Sequence, residues 1–451
     1  MTNPIVQITP RYPALLAGLD NKVDLLVQVQ APPMLKATSE RSPLNLAIVL
    51  DRSSSMGGPP LDEAKRCAGM IVDRLGTRDR AALVVYDHDV AVLVPTTQAA
   101  NKAPFHAAIA SVHSGGTTNL HGGWLKGAEL MAAVAQGSAM TRILLLSDGQ
   151  ANRGVIDPDT ILQQCADLAG AGVTTSTYGL GPHFNEELMI KMANAGQGNP
   201  YYRETATDLM DCFAEEFDFL TALCAKWIHL QADLPTTISM SVLNKFSRTQ
   251  DGSYRMPDLA YEGESWAVIR LTVPKACAGT GDSAAVKLGS IALSYLDVDG
   301  NLHKLPPLTI SLPSLLPVAF GAIVEDRLVT RRVQELEAAT IQDRAQKAAR
   351  NDDWPEVKRL LRDARENAKE NPWLGNVVEK LESLAEQADK AMFSKEAMYA
   401  SDRMRSRLAA MYESASPTAP APSYLRRKSE QGKARPGKDA QDAPDERSGN
   451  P

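Results

Sequence analysis

The segment that constrains this chain most is Asn45–Met56, Asn-Leu-Ala-Ile-Val-Leu-Asp-Arg-Ser-Ser-Ser-Met. Its apolar run, Leu46 to Leu50, has no polar residue inside and reads as a strand buried on both faces, as in a parallel sheet covered by helices on each side. The run stops at Asp51, and Ser53 and Ser55 follow at the second and fourth positions after it. In open α/β sheets ligands bind where the strands end at their carboxyl side, which is where these residues stand. Oxygen side chains with no thiol or imidazole among them suit a hard divalent cation.

Two later segments repeat the theme. Arg142–Gly149 (Arg-Ile-Leu-Leu-Leu-Ser-Asp-Gly) is a second buried strand ending in an acid, Asp148, and Ser114–Leu120 (Ser-Gly-Gly-Thr-Thr-Asn-Leu) is a glycine-hinged turn carrying hydroxyls ahead of a helix. Together they resemble the von Willebrand factor A domain and its metal-ion-dependent adhesion site, an Asp-x-Ser-x-Ser loop followed by a threonine and then an aspartate. The resemblance assigns Asp51, Ser53 and Ser55 from the first loop, Thr117 from the second and Asp148 from the third. Thr118 is the alternative threonine, because the Gly-Gly-Thr-Thr run leaves the position open by one residue. It also implies that some carboxylate contacts pass through water; ligand hardness allows magnesium, manganese or calcium, and abundance favours magnesium.

Around these loops, residues 43–222 alternate strand and helix patterns. Strands are expected near 44–50, 81–86, 90–95, 142–147 and 173–179. Helices are expected near 60–76, 101–112, 120–135, 158–170, 185–194 and 206–222. Leu61, Ala64, Ala68, Ile71 and Leu75 share one helical face. This rhythm predicts an α/β fold with a doubly wound sheet and helices on both faces. The resemblance implies that the sheet is mostly parallel with one antiparallel edge strand, which the hairpin around Asp87-His88-Asp89 would supply.

Upstream, residues 1–42 contain one alternating segment, Val23-Asp-Leu-Leu-Val-Gln-Val, read as a half-buried strand that needs partners from elsewhere. Residues 223–318 hold short strand-like segments separated by turns such as Asp299-Gly300, which predict an antiparallel β-sandwich that the N-terminal strand joins. Residues 319–412 form a helical region. Trp354, Val357, Leu361, Ala364 and Ala368 make one apolar face and Leu374, Val377, Leu381, Leu384 and Ala388 the next, an αα-hairpin around Asn371-Pro372. From 413 to 451 proline, alanine, glycine and charge replace large apolar residues, and a disordered tail is expected.

Composition narrows the function. A net charge of −6 on 451 residues gives no reason to expect nucleic acid or an anionic membrane as the partner. The five cysteines are scattered with no Cys-x-x-Cys pair, which points to buried free thiols in a reducing compartment. No signal-peptide pattern opens the sequence and no segment approaches the ~20 apolar residues of a membrane helix, so a cytoplasmic location is expected. Phosphate-loop, dinucleotide, zinc-protease and Gly-x-Ser-x-Gly signatures are absent, and Gly179-Leu180-Gly181 lacks a third glycine. His113 beside Ser114 and His121 beside Thr118 read as surface or capping residues, and His88 as hairpin-tip polarity.

The expected function is therefore non-enzymatic. It is a metal-dependent protein-binding module whose cation captures an Asp or Glu of a partner protein. An adaptor subunit of an AAA+ or chelatase-type ATPase machine is the alternative, and a metal-assisted hydrolase a more distant one.

Overall fold

The computed structural model describes residues 3–33, 41–135, 139–148, 152–180, 185–203, 209–249, 251–367 and 371–406. The tail 413–451 and Gly149 lie outside the described residues. Three strands open the chain: β1, Ile5–Pro10; β2, Leu15–Leu16; and β3, Asn21–Gln30. The α/β unit then begins with β4, Leu44–Asp51; α1, Pro59–Arg74; β5, Arg80–Tyr86; β6, Val90–Gln98; α2, Ala103–Ala110; and α3, Leu120–Ala132. It continues through β7, Met140–Ser147; α4, Pro158–Gly170; β8, Val173–Leu180; α5, Glu186–Ala195; β9, Gln197–Arg203; and α6, Leu209–Thr221.

Its six strands lie in the order β6-β5-β4-β7-β8-β9, with every neighbouring pair parallel except the β5–β6 hairpin at one edge. The run that reads as doubly buried is doubly buried. Leu46, Ile48 and Leu50 point into a core with α1, α2 and α6, whereas Ala47 and Val49 point into a second core with α3, α4 and α5. Helix α3 lies close on the sheet because Gly127 has no side chain: a Cβ there would sit 2.6 Å from Val49 Cγ2. Helix starts follow local chemistry. Asn119 caps α3 through the Gly122 amide, and Asp157 caps α4 through the Thr160 amide with Pro158 in its first turn.

Strand β9 was not legible. Its sequence, Gln-Gly-Asn-Pro-Tyr-Tyr-Arg, has the Gly-Asn-Pro look of a turn, yet it pairs parallel with β8 at the edge of the sheet. An edge strand tolerates Pro200, which has no amide to donate.

Only Ala222 separates α6 from the next strand, β10, Leu223–Asp233. The β region comprises β10; β11, Ser239–Val242; β12, Tyr254–Met256; β13, Leu259–Ala260; β14, Glu264–Val273; β15, Asp282–Asp297; β16, Leu302–Lys304; and β17, Leu308–Leu315. These form two facing sheets, β1-β3-β14-β11 and β12-β10-β15-β17-β2, the second joined by β13 and β16. Strand β3 pairs with β14 along its whole length, so the α/β unit is an insertion between β3 and β10. The half-buried reading of β3 needs correction. Leu25, Val27 and Val29 face the sandwich core, but Leu26 on the opposite face is also fully buried, packed with Trp266 and Val268 beneath a helix. Asp24, on that same face, is bonded by the Arg270 guanidinium at 2.6 and 3.0 Å.

That covering helix is α8. The C-terminal region runs α7, Pro317–Gly321; α8, Arg327–Arg350; α9, Trp354–Asn367; α10, Pro372–Glu386; and α11, Lys390–Ser406. The expected hairpin is α9 and α10, with Asn371 capping α10 through the Leu374 amide. It is flanked by α8, whose Val329, Val333 and Leu336 cover the sandwich, and by α11, whose Tyr399 stacks on Tyr202 of the α/β unit. Both flanking helices carry buried charge, such as Arg332, Glu335 and Lys395, which weakens their apolar stripe as a sequence signal. All five cysteines are free thiols, and burial pushes that of Cys165 up to about 12. Among the described residues no helix is long and apolar enough to cross a membrane.

Helix α6 is tied to the sheet by a buried polar network. Glu216 accepts from Arg142 Nη1 at 2.5 Å, Ser176 Oγ at 2.6 Å, Asn199 Nδ2 at 2.7 Å and the Tyr201 hydroxyl at 2.8 Å. Burial would raise the Glu216 carboxyl, but the Arg142 charge and these donors more than offset it and hold it below the ordinary value. Removing the acid strands a buried guanidinium, so Glu216→Ala is expected to lose about 3–5 kcal/mol in urea unfolding at pH 7. Because the folded value is depressed, the contribution is full above 4.5, the ordinary glutamate value, and fades only as pH falls through the lower folded value. A loss below about 1 kcal/mol, within the range of an ordinary hydrogen bond, would contradict this reading.

Candidate metal centre

Three loops at the carboxyl ends of β4 and β7 and the amino end of α3 converge on Asp51. The β4–β7 register pairs Leu50 with Leu146 and so sets Asp51 beside Ser147. Asp51 is 0% exposed and Ser53 1%. One Asp51 oxygen accepts the Ser53 amide at 2.8 Å and the other accepts the Ser147 hydroxyl at 2.7 Å. From Ser53 the oxygens continue outward: Ser53 Oγ lies 3.1 Å from Ser55 Oγ, and Ser55 Oγ donates to Asp148 Oδ1 at 2.8 Å. Four of the five assigned residues thus form one connected oxygen cluster.

The second loop is stitched to the first. The Gly115 amide donates to the Arg52 carbonyl at 2.8 Å, and the Ser54 amide and hydroxyl both donate to the Gly116 carbonyl, at 3.1 and 3.0 Å. Gly116 has φ +76°, and a Cβ there would fall 2.3 Å from His88 Nδ1, so this turn admits glycine only. The following threonines differ. Thr117 is exposed, whereas Thr118 is buried and exchanges two hydrogen bonds with Asn152 of the third loop, at 3.0 and 3.2 Å. Arg52 is drawn aside by Asp87 at 3.1 Å, and His88 sits 3.2 Å from both Asp87 and Asp89 at the hairpin tip. His121 is engaged by Gln164 at 2.7 Å.

The donor set fits a hard cation. Burial pushes the Asp51 carboxyl up from its ordinary value, and the Ser147 and Ser53 donors pull it back only in part. None of its hydrogen-bond partners among the described residues is positively charged. A divalent ion would supply the missing counter-charge and favour the ionised acid. Among the described residues no cluster of three or more His, Cys, Asp or Glu side chains forms a cage. The centre has two carboxylates and relies on hydroxyls for the rest, a sparse set of the kind magnesium accepts while keeping several waters.

Sequence reasoning missed Ser147 and Asn152. The first was readable as the residue next to Asp148 at a strand end. The second has no local signal, since its role exists only once the loops are assembled.

Comparison with known proteins agrees with this architecture. Residues 45–215 match the family model of the von Willebrand factor type A domain. An uncharacterized Synechocystis protein, sll0103, is 26% identical over 310 residues, 64% of this chain and 71% of that one. Escherichia coli YfbK is 30% identical over 220 residues, 47% of this chain but 36% of its own length. Human inter-alpha-trypsin inhibitor heavy chain H3 is 26% identical over 186 residues, 39% and 21% respectively. Among solved structures, a von Willebrand factor type A protein from Catenulispora acidiphila superposes with a TM-score of 0.71 at 17% identity, covering 90% of this chain and 97% of that one. The ArnB paralog VWA2 of Sulfolobus acidocaldarius gives 0.60 at 16% identity, covering 90% and 98%. The shared fold therefore includes the sandwich and the helices. Residues 45–215 of this chain are a von Willebrand factor type A domain.

Ser147→Ala leaves a buried Asp51 oxygen without its hydroxyl donor, which is expected to cost about 1–3 kcal/mol of stability in urea unfolding without metal. A variant as stable as the wild type would show that this bond does not hold Asp51 in place.

Proposed function

We propose that the protein is a metal-dependent protein-binding module in which Asp51, Ser53, Ser55, Thr118 and Asp148 hold a divalent cation, with magnesium the leading candidate on ligand hardness and abundance. The observation that carries this reading is the continuous hydrogen-bonded chain that runs from Asp51 through the Ser53 amide and the Ser53 and Ser55 hydroxyls to Asp148. Thr118 is preferred over Thr117 because it is buried and pinned to the third loop. When bound, the cation supplies an electron-poor open position that a carboxylate of a partner protein can complete.

The chain's own residues do the rest. Asp51 and Asp148 bring two negative charges, enough to balance a divalent ion without excess, and the hydroxyls add neutral ligands. Asn152 and the Gly115 and Gly116 contacts hold the loops in register, so the ligands are set before a partner arrives. Beyond Asn152, Val155 is 38% exposed and Ile156 58%, apolar surface that an incoming chain can cover. An acidic partner side chain flanked by apolar residues matches both features. We assign no catalytic role: of the histidines beside the second loop, His121 is engaged by Gln164 and His88 by Asp87 and Asp89.

Calorimetric titration of magnesium and of manganese into metal-stripped protein tests the reading. One saturable site is expected. It is lost in Asp51→Ala and Asp148→Ala with unchanged circular dichroism, weakened at least tenfold in Thr118→Val, and unaltered in Thr117→Val. Wild-type affinity in both aspartate variants would overturn the proposal, and the reverse threonine result would move that ligand to Thr117.

A further inference from the structure

A cavity of about 500 Å³ lies where the α/β unit, the sandwich and α11 meet, far along the sheet from the metal loops: Arg142 in its wall stands near the start of β7, whereas Asp148 follows that strand's end. Its volume and wall match those of small-molecule sites, which are mostly apolar with a few placed polar groups. Phe219, Phe246, Met256 and Met398 supply the apolar wall, drawn from α6, the loop after β11, β12 and α11.

Three guanidiniums border the same space, and their donors outnumber their acceptors. Asp343 takes both terminal nitrogens of Arg405, at 3.1 and 2.6 Å, and also Lys245 at 2.6 Å. Arg405 Nε is buried with no acceptor among the described residues. Arg255 gives one nitrogen to Asp258 at 3.0 Å, and Arg142 Nη2 has only a 3.4 Å contact to the Gln197 carbonyl. Burial and the neighbouring Arg142 charge together lower the Arg255 pKa despite Asp258, and the Trp227 ring covers one face of its guanidinium at 5.2 Å. In the same wall, Gln197 Oε1 is buried without a partner, on a residue with φ +54°. Orphaned buried donors and acceptors are rare in folded proteins, and a donor and an acceptor of this kind around one cavity mark a place where a ligand completes the bonding.

We propose that this cavity binds a small organic acid: an anionic group received by Arg142, Arg255 and Arg405, a hydrogen-bond donor meeting Gln197, and a flat or aliphatic body against the phenylalanines and methionines. The anion is a carboxylate or a phosphate, chemistries that a guanidinium receives alike. The site is independent of the metal centre and its test needs no metal.

Fluorescence titration of the full chain with 8-anilinonaphthalene-1-sulfonate, which carries an anion, an N–H donor and an aromatic body, tests it. One saturable site per chain is expected, at least tenfold tighter than for the uncharged N-phenyl-1-naphthylamine. Binding should weaken at least tenfold in Arg405→Met, which keeps an unbranched stem but removes the guanidinium, and in Ala195→Trp, which fills the cavity from its wall. Displacement by decanoate supports the site and assigns a carboxylate, and displacement by 1-naphthyl phosphate supports it and assigns a phosphate. Absence of saturable binding, equal affinity for the uncharged probe, or wild-type affinity in folded Ala195→Trp would each overturn the proposal. The last comparison decides the matter even if Arg405→Met fails to fold.

Discussion

A carboxylate held out of water at the end of the central strand is the constraint on which the rest of the α/β unit depends. An isolated buried charge is strongly unfavourable and persists only when donors or a counter-ion meet it. Asp51 has an amide donor from its own loop and a hydroxyl from the neighbouring strand, and the surrounding loops are tied to one another rather than to solvent. Arg52 and Ser54 bind the glycine turn, and Thr118 binds Asn152. A displacement of any one loop is therefore felt by the other two, which is what a binding face needs if it is to hold its ligands in place before use.

The same economy of contacts joins the three parts of the chain. The α/β unit is inserted between β3 and β10, which lie in opposite sheets of the sandwich, so both of its ends are anchored. Helix α8 covers the outer face of β3, and α11 reaches back to the α/β unit through Tyr399 on Tyr202 and Asp402 on Asn194. Glu216 fixes α6, the last helix before the sandwich, to three strands of the central sheet. The cavity bordered by the orphaned Arg405 Nε and Gln197 Oε1 sits at this junction, where the parts pack together without satisfying every polar atom.

Much of this was legible in the sequence because the signals were local. The doubly buried run at β4, the acid at its end and the serine spacing were enough to place Asp51, Ser53 and Ser55, and the hairpin around His88 followed from two short strands. What was not legible depended on partners distant in sequence. The outer burial of Leu26 requires Val329 and Val333, some three hundred residues away. Strand β9 is hidden by Pro200, harmless only because the strand is at an edge. A Thr-Thr pair looks alike in sequence, whereas in the fold Thr117 is exposed and Thr118 is buried with its backbone bonded to Asn152. Arg142 inside a leucine-rich strand gave no hint of Glu216, because the pairing exists only after α6 packs.

The most direct measurement of the central claim is anomalous diffraction from crystals of the full chain grown with manganese. The account predicts one strong peak among the Ser53, Ser55 and Thr118 hydroxyls, at direct ligand distance from the serines, with Asp51 and Asp148 beside it. A peak elsewhere, or no peak at saturating manganese in crystals whose loops match those described above, would contradict it.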